Sequence, residues 1–339
     1  MSRSERLLTL VEAAISRLDD GDIEGAEQKL AQAARIDPQH PDVLSLSASI
    51  AAINGDLERA LELVAKAVER APEDVGVLIN AADLALLADP EIAIGYARRA
   101  AAAVDEEDQL IAAVLILAEA HIALEQPAAA REALTELSSS VIDEAATILD
   151  VAHAHLAAED PTTAELWLRR LASADDDAAA DAWHGIGQCR EAKGDKDGMI
   201  AAWLETRRRD AALPPPALVI SDDELEAVVT AALEELPEEV HRHLANVPIL
   251  VDDMPAEHLV QDGWDPRLLG LFEGTPLPEQ STVGGGPSVT TIHLYKRNLE
   301  RYVGDDKDAL AEEIRITVLH ETAHYFGLDD EALAKLGLD

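Results

Sequence analysis

The sequence predicts a mainly α-helical chain in two parts, a solenoid of paired helices followed by a small α+β domain. Three observations predict it. Small and apolar residues recur at a fixed offset through the N-terminal half, and a run of prolines interrupts the chain near residue 215. Segments rich in β-branched residues appear only beyond that run, beside a stretch that places two histidines four positions apart.

The offset is explicit in the first repeats. Gly21, Ala26 and Pro38 return as Gly55, Ala60 and Pro72, each 34 residues later. GDIEGAEQKLAQAARIDP is answered by GDLERALELVAKAVERAP, with small residues where two paired helices must approach closely. The pattern continues with slight drift through Ala93, Ala130 and Ala164 and reaches AWHGIGQCREAKGD, where Trp183, Ile186 and Gly187 stand at W-x2-L-G spacing. This segment resembles tetratricopeptide repeats, in about six helix pairs. No single pair can bury its apolar stripe, so neighbours stack into a superhelix whose concave face usually holds a protein or peptide partner. Repeats three to five are alanine-rich, which points to close helix packing and names no partner-reading side chains.

Leu213 to Ala217 (LPPPA) cannot continue a helix. The expected organisation is therefore a repeat domain at 1–212, a Pro-rich linker at 213–220 and a second domain at 221–339. That domain opens on a capping box, Ser221 with Glu224, and a helix running to about Leu236, where Pro237 interrupts it. Val247 to Val251 (VPILV) predicts a strand, and Ser288 to Tyr295 (SVTTIHLY), entered from GGGP, predicts another. Gly263 to Pro287 is long for a connection inside a small domain and serves either as a lid or binding loop or as a plain surface loop. The last helix starts near Asp306 or Asp308, turns Leu310, Ile314, Val318 and Ala323 inward, and ends at Gly327.

That helix carries HETAHYFGLDD, His320 to Asp330. Positions four apart share a helix face, so His320 and His324 can offer ring nitrogens to one metal ion while Glu321 addresses a water beside it. Gly327 can then take the backbone angles that end the helix and turn the chain, so that Asp330 can return a carboxylate oxygen as third ligand. Zn2+ lowers the pKa of its water from about 15.7 to about 7, which makes a nucleophile available at neutral pH. Glu321 then accepts the water's proton and passes it to the leaving amine.

Four blocks in order, LEELPEEV (233–240), LLGLFEGTPL (268–277), TIHLYKRNLE (291–300) and TVLHETAHYFGLDDEAL (317–333), resemble the minimal zincin-like metallopeptidase family, with its HExxHxxGxxD motif. The resemblance covers roughly 221–339. It implies a small zincin core, a metal held by His320, His324 and Asp330, and peptidase activity of unspecified substrate. Larger zincins with a methionine turn below the metal differ here, because Met1, Met199 and Met254 all precede the motif. An open site with little to define a side-chain pocket is the expectation.

Other residues narrow the reading. His153 and His155, like His241 and His243, are two apart and diverge on a helix, so neither pair chelates well. His293 sits on the strand before the active helix, either lining the cleft or facing solvent, and Tyr295, Tyr302 and Tyr325 are candidates to hydrogen-bond an oxyanion or simply to pack. The net charge of −40 argues against nucleic acid and anionic membranes; it fits solubility and a cationic partner or substrate, and equally the salt environment of the host. One cysteine, Cys189, permits no internal disulfide, and the charged N-terminus is no signal peptide, so a cytoplasmic protein is expected. Two functions remain open: a zinc metallopeptidase whose repeats recruit a protein substrate, and a protein-binding adaptor whose metal site is structural or vestigial. Oligomeric state and cleavage preference are not written in the sequence.

Overall fold

A residue in left-handed conformation followed by a helix-capping residue starts the second helix of most pairs. Gly21 (φ 75°) precedes Asp22, whose carboxylate accepts from the Gly25 amide, and Gly55 (φ 80°) precedes Asp56, which accepts from the Arg59 amide. The same turn recurs in the fourth and fifth pairs with glutamate in place of glycine, at Glu125 (φ 56°) and Glu159 (φ 60°). Glycine adopts that conformation without penalty, whereas a side chain there is strained.

The computed structural model describes residues 2–139, 142–173, 177–214, 220–234, 236, 238, 243–244, 247–277 and 290–329, the side chains of 138 and 139 excepted. It divides into two compact units, Met1–Leu171 and Ala172–Asp339. Most of the 213–220 segment lies outside the described residues, and the division falls upstream of it.

In the first unit, five helix pairs follow in order: α1 (Arg3–Asp19) with α2 (Ile23–Ile36), α3 (Pro41–Ile53) with α4 (Leu57–Arg70), α5 (Val75–Leu86) with α6 (Pro90–Ala103), α7 (Glu107–Ala123) with α8 (Pro127–Leu134), and α9 (Ala145–Ala157) with α10 (Pro161–Leu168). Each odd-numbered helix packs on the next odd-numbered one, which makes a continuous inner layer. The recurring alanines sit at the tightest contacts, since Ala26, Ala60, Ala93, Ala130 and Ala164 are all fully buried. A larger side chain there would overpack the pair.

A sixth pair, α11 (Asp177–Ala192) and α12 (Lys196–Ala212), belongs to the second unit. Gly187 is needed in α11, because a Cβ there would collide with the Trp203 indole of α12. Beyond the pair come α13 (Asp222–Glu234), β1 (Ile249–Asp252), α14 (Glu257–Asp262), β2 (Gly270–Glu273), β3 (Thr291–Tyr295), α15 (Lys296–Val303) and α16 (Lys307–Tyr325). The expected capping box opens α13: the Glu224 amide donates to the Ser221 hydroxyl at 3.2 Å and the Ser221 amide to the Glu224 carboxylate at 3.0 Å. The sheet order is β1-β3-β2, with β1 parallel and β2 antiparallel to β3. Ile292 and Leu294 of β3 meet Leu225 and Val229 of α13 and Leu310, Ile314 and Val318 of α16 in one apolar core.

The helix pair is tied to this core by charge. Asp210 of α12, buried, accepts from Arg267 at 2.9 and 3.0 Å and from Arg301 of α15, and Asp181 of α11 pairs with Arg267 at 2.8 Å. Removing the central acid would leave two guanidinium groups facing each other with little solvent. Asp210→Asn is expected to destabilise the protein by about 3 kcal/mol in urea unfolding, and an unchanged midpoint would contradict this. No helix among the described residues is long and apolar enough to cross a membrane, and Cys189 is fully buried.

Two expectations need correction. The stretch from 263 to 287 is not a plain connection, because β2 lies inside it; residues 278–289 are outside the described residues. Ala323 is only half-buried, and beyond Val318 the inward face of α16 passes instead to Glu321, Thr322 and Tyr325.

Candidate functional site

The site is built on the last two turns of α16. Asp306 caps the helix by accepting from the amides of Asp308 (2.9 Å) and Ala309 (3.0 Å), and Leu310, Ile314 and Val318 lock its inner face at zero exposure. With the helix so rotated, His320 and His324 come together, their Nε2 atoms 3.0 Å apart and their rings 4.7 Å apart edge to face. Two imidazoles on one zinc in tetrahedral geometry hold their nitrogens about 3.3 Å apart, so this spacing suits a shared ion.

The helix end settles which nitrogen is available. Gly327 takes φ 83°, its amide donates to the His324 carbonyl at 2.9 Å, and the Leu328 amide donates to the Ala323 carbonyl at 3.1 Å. This Schellman closure folds the chain back over the last turn. The Leu328 carbonyl thereby reaches His324 and accepts from its Nδ1–H at 2.9 Å. A carbonyl can only accept, so the Nδ1 proton is fixed and the Nε2 lone pair is left for a ligand.

His320, Glu321 and His324 share a cleft of about 520 Å³. Trp264, Leu268, Phe272 and Leu328 give it apolar walls, and Asp329 adds a carboxylate at its rim. Glu321 is 7% exposed and packs against the backbone of β2. Gly270 allows this approach: a Cβ at that position would lie 2.9 Å from the Glu321 Cγ and 2.7 Å from the Thr317 methyl. Gly270→Ala is therefore expected to shift Glu321 and cost about 1–3 kcal/mol of stability, measured by thermal and urea unfolding; an unaffected protein would contradict the packing.

The other candidates are placed as follows. Asp330, the expected third ligand, lies outside the described residues, and among the described residues no group of three or more His, Cys, Asp or Glu converges on a metal position. His293 does not line the cleft; its Nδ1 bonds Asp252 across to β1 at 3.0 Å and its Nε2 stands 3.5 Å from Glu273 of β2. Tyr302 is 69% exposed and Tyr325 is buried against Phe272 and Phe326. Tyr295 is buried, and its hydroxyl has no hydrogen-bond partner among the described residues. Burial first, and then the carboxylates of Asp252, Glu273 and Glu321, push that hydroxyl above the usual tyrosine range. His155 is buried, and burial holds its pKa below the ordinary histidine value against the pull of Asp160.

Sequence reasoning missed the cleft wall. Trp264 and Leu268 come from a segment with no periodic pattern, tied by the bond between His184 Nε2 and the Asp265 carboxylate (2.9 Å) of a residue 81 positions away. The one local signal was Gly270, set between Leu269 and Leu271 where an apolar side chain would continue the run.

Residues 244–338 match the zincin-like metallopeptidase family, and residues 17–77 match the tetratricopeptide repeat family. No curated protein matches the chain. Among solved structures, PilW, a type IV pilus biogenesis factor, is similar at 15% identity and a TM-score of 0.50, over 60% of this chain and 92% of its own. Pseudomonas aeruginosa pilF is similar at 18% identity and a TM-score of 0.48, over 61% and 92%, and a tetratricopeptide repeat protein from Parabacteroides merdae at 17% and 0.43, over 71% and 97%. The likeness to PilW shows the solenoid fold alone. The chain thus joins a repeat interaction module to a peptidase-like, zincin-like domain.

Proposed function

We propose that the C-terminal domain is a zinc-dependent peptidase and that the repeat region, residues 1–212, joined to it through 213–220, recruits its protein substrate. The observation that carries this reading is the pair of Nε2 atoms 3.0 Å apart, with the tautomer of His324 set by the Leu328 carbonyl and Glu321 in the same cleft.

The donor set fits zinc, with His320 and His324 as two ligands and Asp330 as the third. Zinc bound there supplies a Lewis acid that polarises a peptide carbonyl and acidifies water. Glu321 removes the proton from the attacking water and delivers it to the departing amine nitrogen. Its packing against Gly270 restricts its rotamers and holds the carboxylate toward the cleft. Trp264, Leu268 and Phe272 receive apolar side chains near the scissile bond. Among the described residues β2 is at the edge of the sheet, and an extended peptide can add to that edge and so be held straight across Glu321.

A proteomic cleavage screen tests the reading. The protein incubated with denatured bacterial proteome is expected to generate new N-termini that disappear on chelation with phenanthroline. An unchanged proteome, with or without chelator, would favour the adaptor.

A further inference from the structure

From α3 to α9 lysine and arginine are sorted by layer, whereas α1 of the first pair carries Arg3, Arg6 and Arg17. The inner helices α3, α5, α7 and α9 contain no lysine or arginine at all. The outer helices α2, α4, α6 and α8 carry Lys29, Arg35, Arg59, Lys66, Arg70, Arg98, Arg99 and Arg131.

The inner layer also opens into a groove of about 690 Å³, lined entirely from α5, α7 and α9. Leu86, Leu115 and Ile122 give it apolar walls, and Glu119 and Asp150 stand among them. Asp83, on α5, lies within electrostatic reach of Glu119. Burial pushes the Glu119 carboxyl above its usual range, and repulsion from Asp83 and Asp150 adds to it; burial alone raises Asp83. All three side chains stay exposed and none is paired with a lysine or arginine among the described residues, while His153, which has an interaction of its own, also lines the groove; a lysine or arginine delivered from outside would relieve the repulsion.

We infer that this groove docks a basic, apolar peptide segment, one that sets lysine or arginine against Glu119 and Asp150 while leucine-like side chains fill the space between Leu86, Leu115 and Ile122. The same lining, acidic and without lysine or arginine, disfavours acidic segments and free C-terminal carboxylates, which would add to the repulsion. The inference rests on the reading that the repeats recruit a protein, and it names the chemistry of what they recruit.

Fluorescence anisotropy with the full chain and three short labelled peptides tests it: one alternating lysine with leucine, one glutamate with leucine, one lysine with serine. Only the lysine–leucine peptide is expected to bind tightly. The triple variant Asp83→Asn, Glu119→Gln, Asp150→Asn is expected to weaken it about tenfold or more, and Leu115→Ser similarly. An equal charge change on the outer face, Glu58→Gln, Glu62→Gln, Glu69→Gln, controls for the net charge of the chain and is expected to leave affinity within about twofold. Amide replacements keep side-chain shape, and circular dichroism melts verify that each variant is folded. Equal weakening by the outer-face control would overturn the proposal, as would unchanged binding in the groove variants. If the glutamate–leucine peptide binds and Leu115→Ser removes it, the groove recruits but the charge assignment is wrong. If no peptide responds to either groove variant, recruitment through this groove fails with it.

Discussion

Glu321→Gln is expected to lower kcat by about 10²- to 10⁴-fold on any peptide the wild type cleaves, while leaving zinc content and melting temperature unchanged. The substitution is nearly isosteric. The amide fits the same space against Gly270 and Thr317, and the Leu328 carbonyl continues to hold His324. What disappears is the capacity to take a proton, since an amide oxygen is far less basic than a carboxylate. The measurement is steady-state hydrolysis of a peptide from the cleavage screen, with zinc determined by atomic emission on the same sample. Undiminished turnover with zinc retained would remove Glu321 from the chemistry.

Asp330→Ala is expected to cut zinc affinity by more than about a hundredfold, above the range that outer-shell changes produce. Gly327 reverses the chain beyond the helix, the Leu328 carbonyl is held on His324, and Asp329 borders the cleft, so Asp330 directly follows a cleft-lining residue in sequence. Asp329→Ala is the informative comparison, expected to change affinity less than about tenfold. Competition with a chromophoric chelator measures both. If Asp329→Ala releases the metal and Asp330→Ala does not, the ligand assignment moves by one residue.

Much of the repeat architecture was legible because it rests on local rules repeated at fixed distance. Glycine in a left-handed turn and aspartate as a cap mark the first two pairs, and alanines mark each close helix contact down to Ala164. The bounds of α16 were legible for the same reason, with Asp306 at one end and Gly327 at the other. The turns at Glu125 and Glu159 were not, because glutamate gives no sign of a left-handed backbone that its neighbours impose. β2 escaped notice as four residues, Gly270–Glu273, too short to show alternation. The bonds of Asp210 and His184 to residues 57 and 81 positions away depend on tertiary placement that no local pattern encodes. In the candidate site, the histidine pair and Glu321 were legible from helical spacing, whereas the apolar wall, the Gly270 contact and the Leu328 bond to His324 emerged only from the folded chain.

The most direct measurement is zinc stoichiometry in wild type and in the double variant His320→Ala, His324→Ala, each purified without added metal and analysed by mass spectrometry of the native protein and by atomic emission. Shared ligation by the two imidazoles predicts about one zinc per wild-type chain and none in the variant. A wild type that takes up no zinc even when it is supplied, or a double variant that holds as much as the wild type, would contradict it.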